Sequence, residues 1–358
     1  MKKIFLLLAL WALGLPAPAR DKSIPLEPDA MLRSKYHVYE RAGVAAGQGA
    51  IVAASVRGWL VKTDASGKVY WRVKSPCSPA CVPAIEEQMV VYACENGKML
   101  ALDLADGKQL WQFAFNDSVA SGPAFHEQLL IFQTGDGRVI ALDKQDGKIK
   151  WLTRQLSRSN LSMRAAASPL VLDDIIYIGM ADGNLAALKA DNGEPVWQRR
   201  IFDKPITSDL DFPLLADDKA VYASSLEGLC AVSRTSGKNY WCIDEKIAAP
   251  PVQDENNIYA LNTANELMLI NKLAGIVEKR VRVKESALAK AEHEKPLAIY
   301  LTDQELFILF NTKLVRMKSP DYSPKTARIF ILPVQRAEKA DKTMFMINSR
   351  GYLEISHL

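Results

Sequence analysis

Short apolar runs alternate with turns rich in Gly, Asp and Asn along almost the whole chain. The run "RVIALD" (138–143) has the two-residue alternation of a strand. It is followed by "KQDG" (144–147) and by a second run ending in Trp151. Such a unit predicts a β-hairpin with a Gly-containing turn. The unit repeats as "GWLVKTDASGKVYW" (58–71), "GKMLALDLADGKQLW" (97–111), "GRVIALDKQDGKIKW" (137–151), "GNLAALKADNGEPVW" (183–197) and "GLCAVSRTSGKNYW" (228–241). Weaker copies follow at 265–279 and 311–320, and the chain ends on another opening, "GYLEISHL" (351–358). The eight starts at 58, 97, 137, 183, 228, 265, 311 and 351 are spaced by 37 to 46 residues.

Between successive hairpins lie two more short runs, such as "SPLVL" (168–172) and "IIYIGM" (175–180). Four strands per period of about forty residues predict an all-β fold, an eight-bladed β-propeller of four-stranded antiparallel blades. Seven blades is the alternative, because the copies after 280 are weak. The last copy stops after its third strand, so N- and C-terminal strands are expected to share one blade. "YHVYE" (36–40) is the expected closing strand. Trp71, Trp111, Trp151, Trp197 and Trp241 occupy one position in five blades. They are expected to be structural, each ring packing between neighbouring blades and burying about 150–250 Å².

Composition changes this picture at the N-terminus. Lys2 and Lys3 precede an apolar run from Ile4 to Leu15, and Ala17-Pro18-Ala19 follows. That is the pattern of a cleaved secretory signal peptide. The expected organisation is a signal peptide over 1–19, a linker over 20–34 and one propeller domain over 35–358. Cleavage would lower the formal charge from +4 by two lysines to +2. A charge that small implies no nucleic-acid surface. Export also implies an oxidising compartment for the five cysteines. Cys230 and Cys242 are equidistant from the turn at Ser236-Gly237, the geometry of a cross-strand disulfide. Cys81 and Cys94 are likewise symmetric about Glu87-Gln88, leaving Cys77 free; a Cys77–Cys81 bond would instead leave Cys94 free. Five reduced thiols is the third option.

The motif "ALDxxDGKxxW" resembles the pyrroloquinoline-quinone-type propeller repeat, which occurs in quinoprotein dehydrogenases and in proteins without cofactor. Two stretches tilt the resemblance. "NLSMRAAASP" (160–169) leads into the fourth blade, and "ITSDLDFP" (206–213) into the fifth. Both are similar to loops of the BamB family, the propeller subunit of the outer-membrane β-barrel assembly machinery. That family carries a Leu-Ser-Leu-Arg stretch at the first place and Asp-x-Asp at the second, and these bind the large barrel subunit, BamA. The matching positions here are Leu161, Met163 and Arg164, then Asp209 and Asp211. Met163 in place of leucine nearly conserves volume. BamB proteins are usually lipoproteins, with a cysteine directly after the signal sequence. Here no cysteine precedes Cys77, so a periplasmic form held at the outer membrane only through its partner is expected.

Both loops connect an outer strand to the next inner strand, which puts them on one face of the disc and brings a cation near two carboxylates. The plain alternative is a local Arg–Asp salt bridge, worth under about 1 kcal/mol if exposed. Chemistry is the weaker reading. Quinoprotein dehydrogenases typically need a carboxylate-lined Ca²⁺ site, and many have adjacent cysteines; no Cys-Cys pair occurs here. His37, His126, His293 and His357 are scattered, without metal-ligand spacing. No catalytic residue, cofactor or metal is therefore expected. The expected role is a non-catalytic, monomeric periplasmic scaffold that binds a BamA-like subunit, and unfolded outer-membrane proteins in addition. The alternatives are a generic interaction propeller, with the charged stretch 282–296 as a contact element or a solvated loop, and a quinone-dependent dehydrogenase.

Overall fold

The computed structural model describes residues 22–28, 43–153, 167–203, 209–210, 212–283, 294–302, 305–319, 321–330, 334–340 and 342–357. They form eight four-stranded antiparallel sheets. Each sheet is one blade, with its strands a to d running from the centre to the rim. Blade 3 is Ala124–His126, Leu129–Gln133, Val139–Asp143 and Ile149–Leu152; blade 4 is Leu170–Leu172, Ile175–Gly179, Asn184–Lys189 and Pro195–Arg200. Antiparallel order puts the a–b and c–d turns on one face of the ring, the turn face. The b–c turns and the d-to-a connections fall on the other, the loop face.

The core is a ring of seams. Eight clusters of buried residues each join two adjacent blades. The repeated tryptophan is the centre of five of them. Trp71, Trp111, Trp151 and Trp197 are buried and Trp241 is half-buried. Each indole N–H donates to a backbone carbonyl of the next blade: Leu104 at 3.0 Å, Lys144 at 2.8, Ala190 at 2.9, Arg234 at 2.8 and Lys272 at 2.9. Burial without that partner would leave a polar group unsatisfied. The Gly of the next blade's c–d turn lies directly under the ring. A Cβ at Gly193, whose φ is +72°, would sit 2.6 Å from Trp151. The repeat's Ala is explained too: Ala101, Ala141, Ala187 and Ala231 stand opposite Trp111, Trp151, Trp197 and Trp241 in the ladder, each beside a bulge. A small residue there leaves room for the indole to lean out of its own sheet.

The ring closes through a shared blade, but not with the expected segment. Lys22–Pro25 pairs with Tyr352–His357 as strand d of blade 8, Ile24 opposite Leu353. Residues 36–40 lie outside the described residues. Chain reach explains the correction. From the rim, the chain must cross about three strand spacings, ~14 Å, to strand a of blade 1. That strand is Gly43–Gly47, and the step from residue 40 to 43 spans at most ~11 Å. Lys22–Pro25, which the sequence placed in a linker, leaves ample chain for the crossing. It also brings apolar groups to the seam. Ile24 and Leu26 are buried among Val44, Val61, Phe345 and Ile355.

A disulfide joins Cys230 to Cys242, directly opposite each other with Cα atoms 4.1 Å apart. The second disulfide corrects both sequence alternatives. It joins Cys77 to Cys94, with Cα atoms 5.7 Å apart, and Cys81 is free and buried. Symmetry about Glu87-Gln88 misled because Cys81 precedes strand a of blade 2, whose Ala84–Glu86 pairs only with Met89–Val91. Beyond that ladder Pro79, not Cys81, bridges to Cys94. Cys81 turns into the seam with Leu130 and Phe132. Burial pushes its thiol up to about 12, so it stays a neutral apolar group.

Candidate functional site

Strand d of blades 3 and 4 ends, and strand a of blades 4 and 5 begins, on the loop face, as the strand order requires. Leu161, Met163, Arg164 and Asp211 lie outside the described residues. Asp209 is described and half-buried. Its position is set by its neighbours. Leu210 is buried in the seam of blades 4 and 5 with Tyr177, Trp197 and Val221. Its N–H donates to the Met180 carbonyl at 3.2 Å. The backbone approach is so close that a Cβ on Gly179 would fall 2.7 Å from the Leu210 Cβ. Phe212 is buried in the following seam with Tyr222, Ile247 and Ile258. The stretch Asp209-Leu210-Asp211-Phe212 thus alternates carboxylates with two apolar anchors, one in each of two successive seams. The carboxylates are the residues expected from sequence; the two anchors were not among them, although the polar–apolar alternation that marks them is plain in "DLDF".

The surrounding loop face is rich in paired charge. Arg200 contacts Asp203 at 3.0 Å, and the Asp203 N–H donates to buried Glu227 at 3.3 Å. Arg138 contacts Asp136 at 2.6 Å. Partial burial pushes the Asp136 carboxyl up, but hydrogen bonds from Arg138 and Thr134 outweigh it and hold the group below its ordinary value. Arg280 reaches Glu245 at 2.8 Å and Glu266 at 3.9 Å. Exposed pairs of this kind add little stability, under about 1 kcal/mol each. They do offer a partner donors and acceptors already held in place by a rigid ring. Chemically, this arrangement is suited to polar docking around apolar contacts.

The turn face holds a grouping that the sequence spacing concealed. His126 and Glu127 of blade 3 and Asp174 of blade 4 bring an imidazole nitrogen and two carboxylates within 4.8 Å of one another. Residues 126 and 174 are a full blade apart in sequence, so no ligand spacing is visible until blades 3 and 4 stand side by side.

Comparisons with known proteins agree with one another. The family model described as outer membrane protein assembly factor BamB matches residues 10–114 and 57–280, together well over half of the chain. The chain is 26% identical over 125 residues to the outer membrane protein assembly factor BamB of Legionella pneumophila (strain Paris). It is 25% identical over 123 residues to the protein of that name from Kangiella koreensis. These alignments span 33% and 32% of the chain, and equally 33% and 32% of the two relatives. Among solved structures, BamB from Moraxella catarrhalis superposes with a TM-score of 0.78 at 18% identity, covering 96% of this chain and 100% of that one. At that identity the likeness establishes the fold alone.

Proposed function

The chain belongs to the family of the outer membrane protein assembly factor BamB, and on that premise we propose that it is a non-catalytic scaffold of the machinery that inserts β-barrel proteins into the outer membrane. It works in the periplasm as a monomer. It reaches the membrane through its partner, a BamA-like barrel subunit, and unfolded outer-membrane proteins are a second class of ligand. Leu161 and Met163 supply apolar anchors, Arg164 a cation, and Asp209 and Asp211 acceptors from the next blade. The observation that carries this reading is the family match across residues 10–280. The two loop stretches on consecutive blades support it at the level of residues. No cofactor is part of the role, because the motif residues are accounted for by blade packing.

Co-purification from native outer membranes tests the reading. Wild-type protein should recover the barrel subunit. Arg164→Ala and Asp211→Ala should each weaken the complex by about 2 kcal/mol or more, the size of an interface hot spot, with circular dichroism unchanged. Failure of the wild type to recover the subunit would leave a generic docking propeller. Unchanged affinity in both variants would remove these residues from the interface.

A further inference from the structure

We propose that the turn face carries a divalent transition-metal site at the seam of blades 3 and 4, formed by His126, Glu127 and Asp174. The site is separate from the docking function and lies on the opposite face of the ring.

In blade 2, Glu87 opens the a–b turn, and Lys144 of blade 3 reaches across to it at 3.1 Å. In blade 4, Asp173 opens the same turn, and Arg234 of blade 5 reaches it at 2.6 Å. In blade 5, Asp217 meets Lys272 of blade 6 at 3.4 Å. In all three seams the cation comes from one position, the residue whose carbonyl accepts the tryptophan N–H. In blade 3 the acidic residue opening the turn is Glu127, and the corresponding residue of blade 4 is Ala190. Among the described residues the seam keeps the carboxylate and lacks a cation at that position.

Two further ligands converge on that place. His126 directly precedes Glu127, and its Nε2 lies 3.0 Å from Asp174 Oδ1 across the seam. The three groups offer donor atoms all within 4.8 Å of one another. Ligands about 2.0–2.2 Å from a zinc ion lie about 3–4 Å apart, so a small inward rotation of the carboxylates completes the set. Asp174 is free to make it, since its side chain is 83% exposed. An imidazole with two carboxylates favours Zn²⁺, Co²⁺ or Ni²⁺ over Mg²⁺ or Ca²⁺. Water would fill the remaining positions. The ion would do at this seam what Lys144, Arg234 and Lys272 do at theirs, tying strand a of one blade to the next.

Titration of tag-free full-length protein with Co²⁺, followed by visible absorption, reads the site directly. One equivalent should bind, with Zn²⁺ displacing it and a hundredfold excess of Mg²⁺ leaving it in place. His126→Ala and the exposed variant Asp174→Asn should each weaken binding tenfold or more. Ala190→Lys should also abolish it, because a lysine there would reach Glu127 as Lys144 reaches Glu87. Each variant's thermal midpoint without metal reports whether it folds. No binding by the wild type up to about 1 mM would overturn the proposal. So would binding that survives His126→Ala and Asp174→Asn, since the ion would then sit elsewhere.

Discussion

The arc of blades 1 to 6 and the arc from blade 6 through the closing strand solve one packing problem in two ways. In the first, every seam is filled by an indole that is also hydrogen-bonded to the next blade. In the second, no tryptophan is used. Tyr259 and Tyr322 meet through their hydroxyls at 3.2 Å between blades 6 and 7. Phe307, Phe330, Met344 and Met346 fill the seam of blades 7 and 8, and Ile24, Leu26 and Phe345 the closure. The ring requires only that each seam be filled to the density of a protein interior. Periodic sequence is one way to meet that requirement, and irregular large side chains are another.

The largest effect expected is from Trp197→Ala. Loss of the buried ring and of its bond to the Arg234 carbonyl should destabilise the protein by about 3–5 kcal/mol. Phe310→Ala, fully buried in the other arc, should fall in the same range, because burial and not periodicity sets the value. Urea unfolding of both variants makes the comparison. A Trp197→Ala loss below about 1 kcal/mol, with Phe310→Ala above 3, would show that the tryptophan lock is ornamental.

This division also decides what the sequence revealed. The Trp, Gly and Ala of the repeat can be read because each answers a constraint that recurs at every period: a seam to fill, a turn under a ring, a space opposite an indole. Blade number survived the decay of the later copies because turn signals such as Asn265 and Gly351 persist where the tryptophan does not. The closing strand was misplaced because four residues, Lys-Ser-Ile-Pro, carry too little alternation to stand out. Only the geometry of the rim selects them. Asp209 is set by Leu210 and Phe212, whose destinations lie in two different seams, and no local pattern says which seams. The His126–Asp174 contact depends wholly on blade adjacency.

A pH experiment separates the arcs next. In the tryptophan arc, Asp217 is held below its ordinary value: burial raises it, but hydrogen bonds from the Tyr222 hydroxyl and two backbone N–H groups prevail. In blade 8, burial pushes Glu338 from its ordinary 4.5 up to about 7, beside Tyr300, whose buried hydroxyl has no hydrogen-bond partner among the described residues. The folded state therefore holds a proton on Glu338 that the unfolded chain has already released. Between pH 4.5 and about 7 this group makes stability fall as pH rises, and above that window the loss is complete. A shift of that size corresponds to at most about 3 kcal/mol, less where water reaches the half-exposed residue. Glu338→Gln should flatten that part of the stability profile and raise stability at pH 8. If the variant's profile parallels the wild type, the carboxyl is already ionised in the fold.

The finest distinction lies between two glycines at the same point of the repeat. Gly193 and Gly67 both occupy c–d turns with positive φ, +72° and +79°. An alanine at either position should lose about 1–2 kcal/mol to the left-handed backbone alone. Their neighbours differ. A Cβ on Gly193 would press into Trp151 at 2.6 and 2.8 Å, against a ring fixed by its hydrogen bond to Ala190. On Gly67 it would meet the ends of aliphatic chains, Lys22 Cδ at 2.9 Å and Ile355 Cδ1 at 3.2 Å, which can turn aside. Gly193→Ala should therefore cost more than Gly67→Ala by about 1–2 kcal/mol, the size of a modest overpacking penalty. In a Trp151→Leu background that excess should vanish, because a leucine can yield where the indole cannot. A double-mutant cycle over Gly193 and Trp151 measures it, and a coupling near zero would mean that backbone conformation alone keeps glycine in the turn.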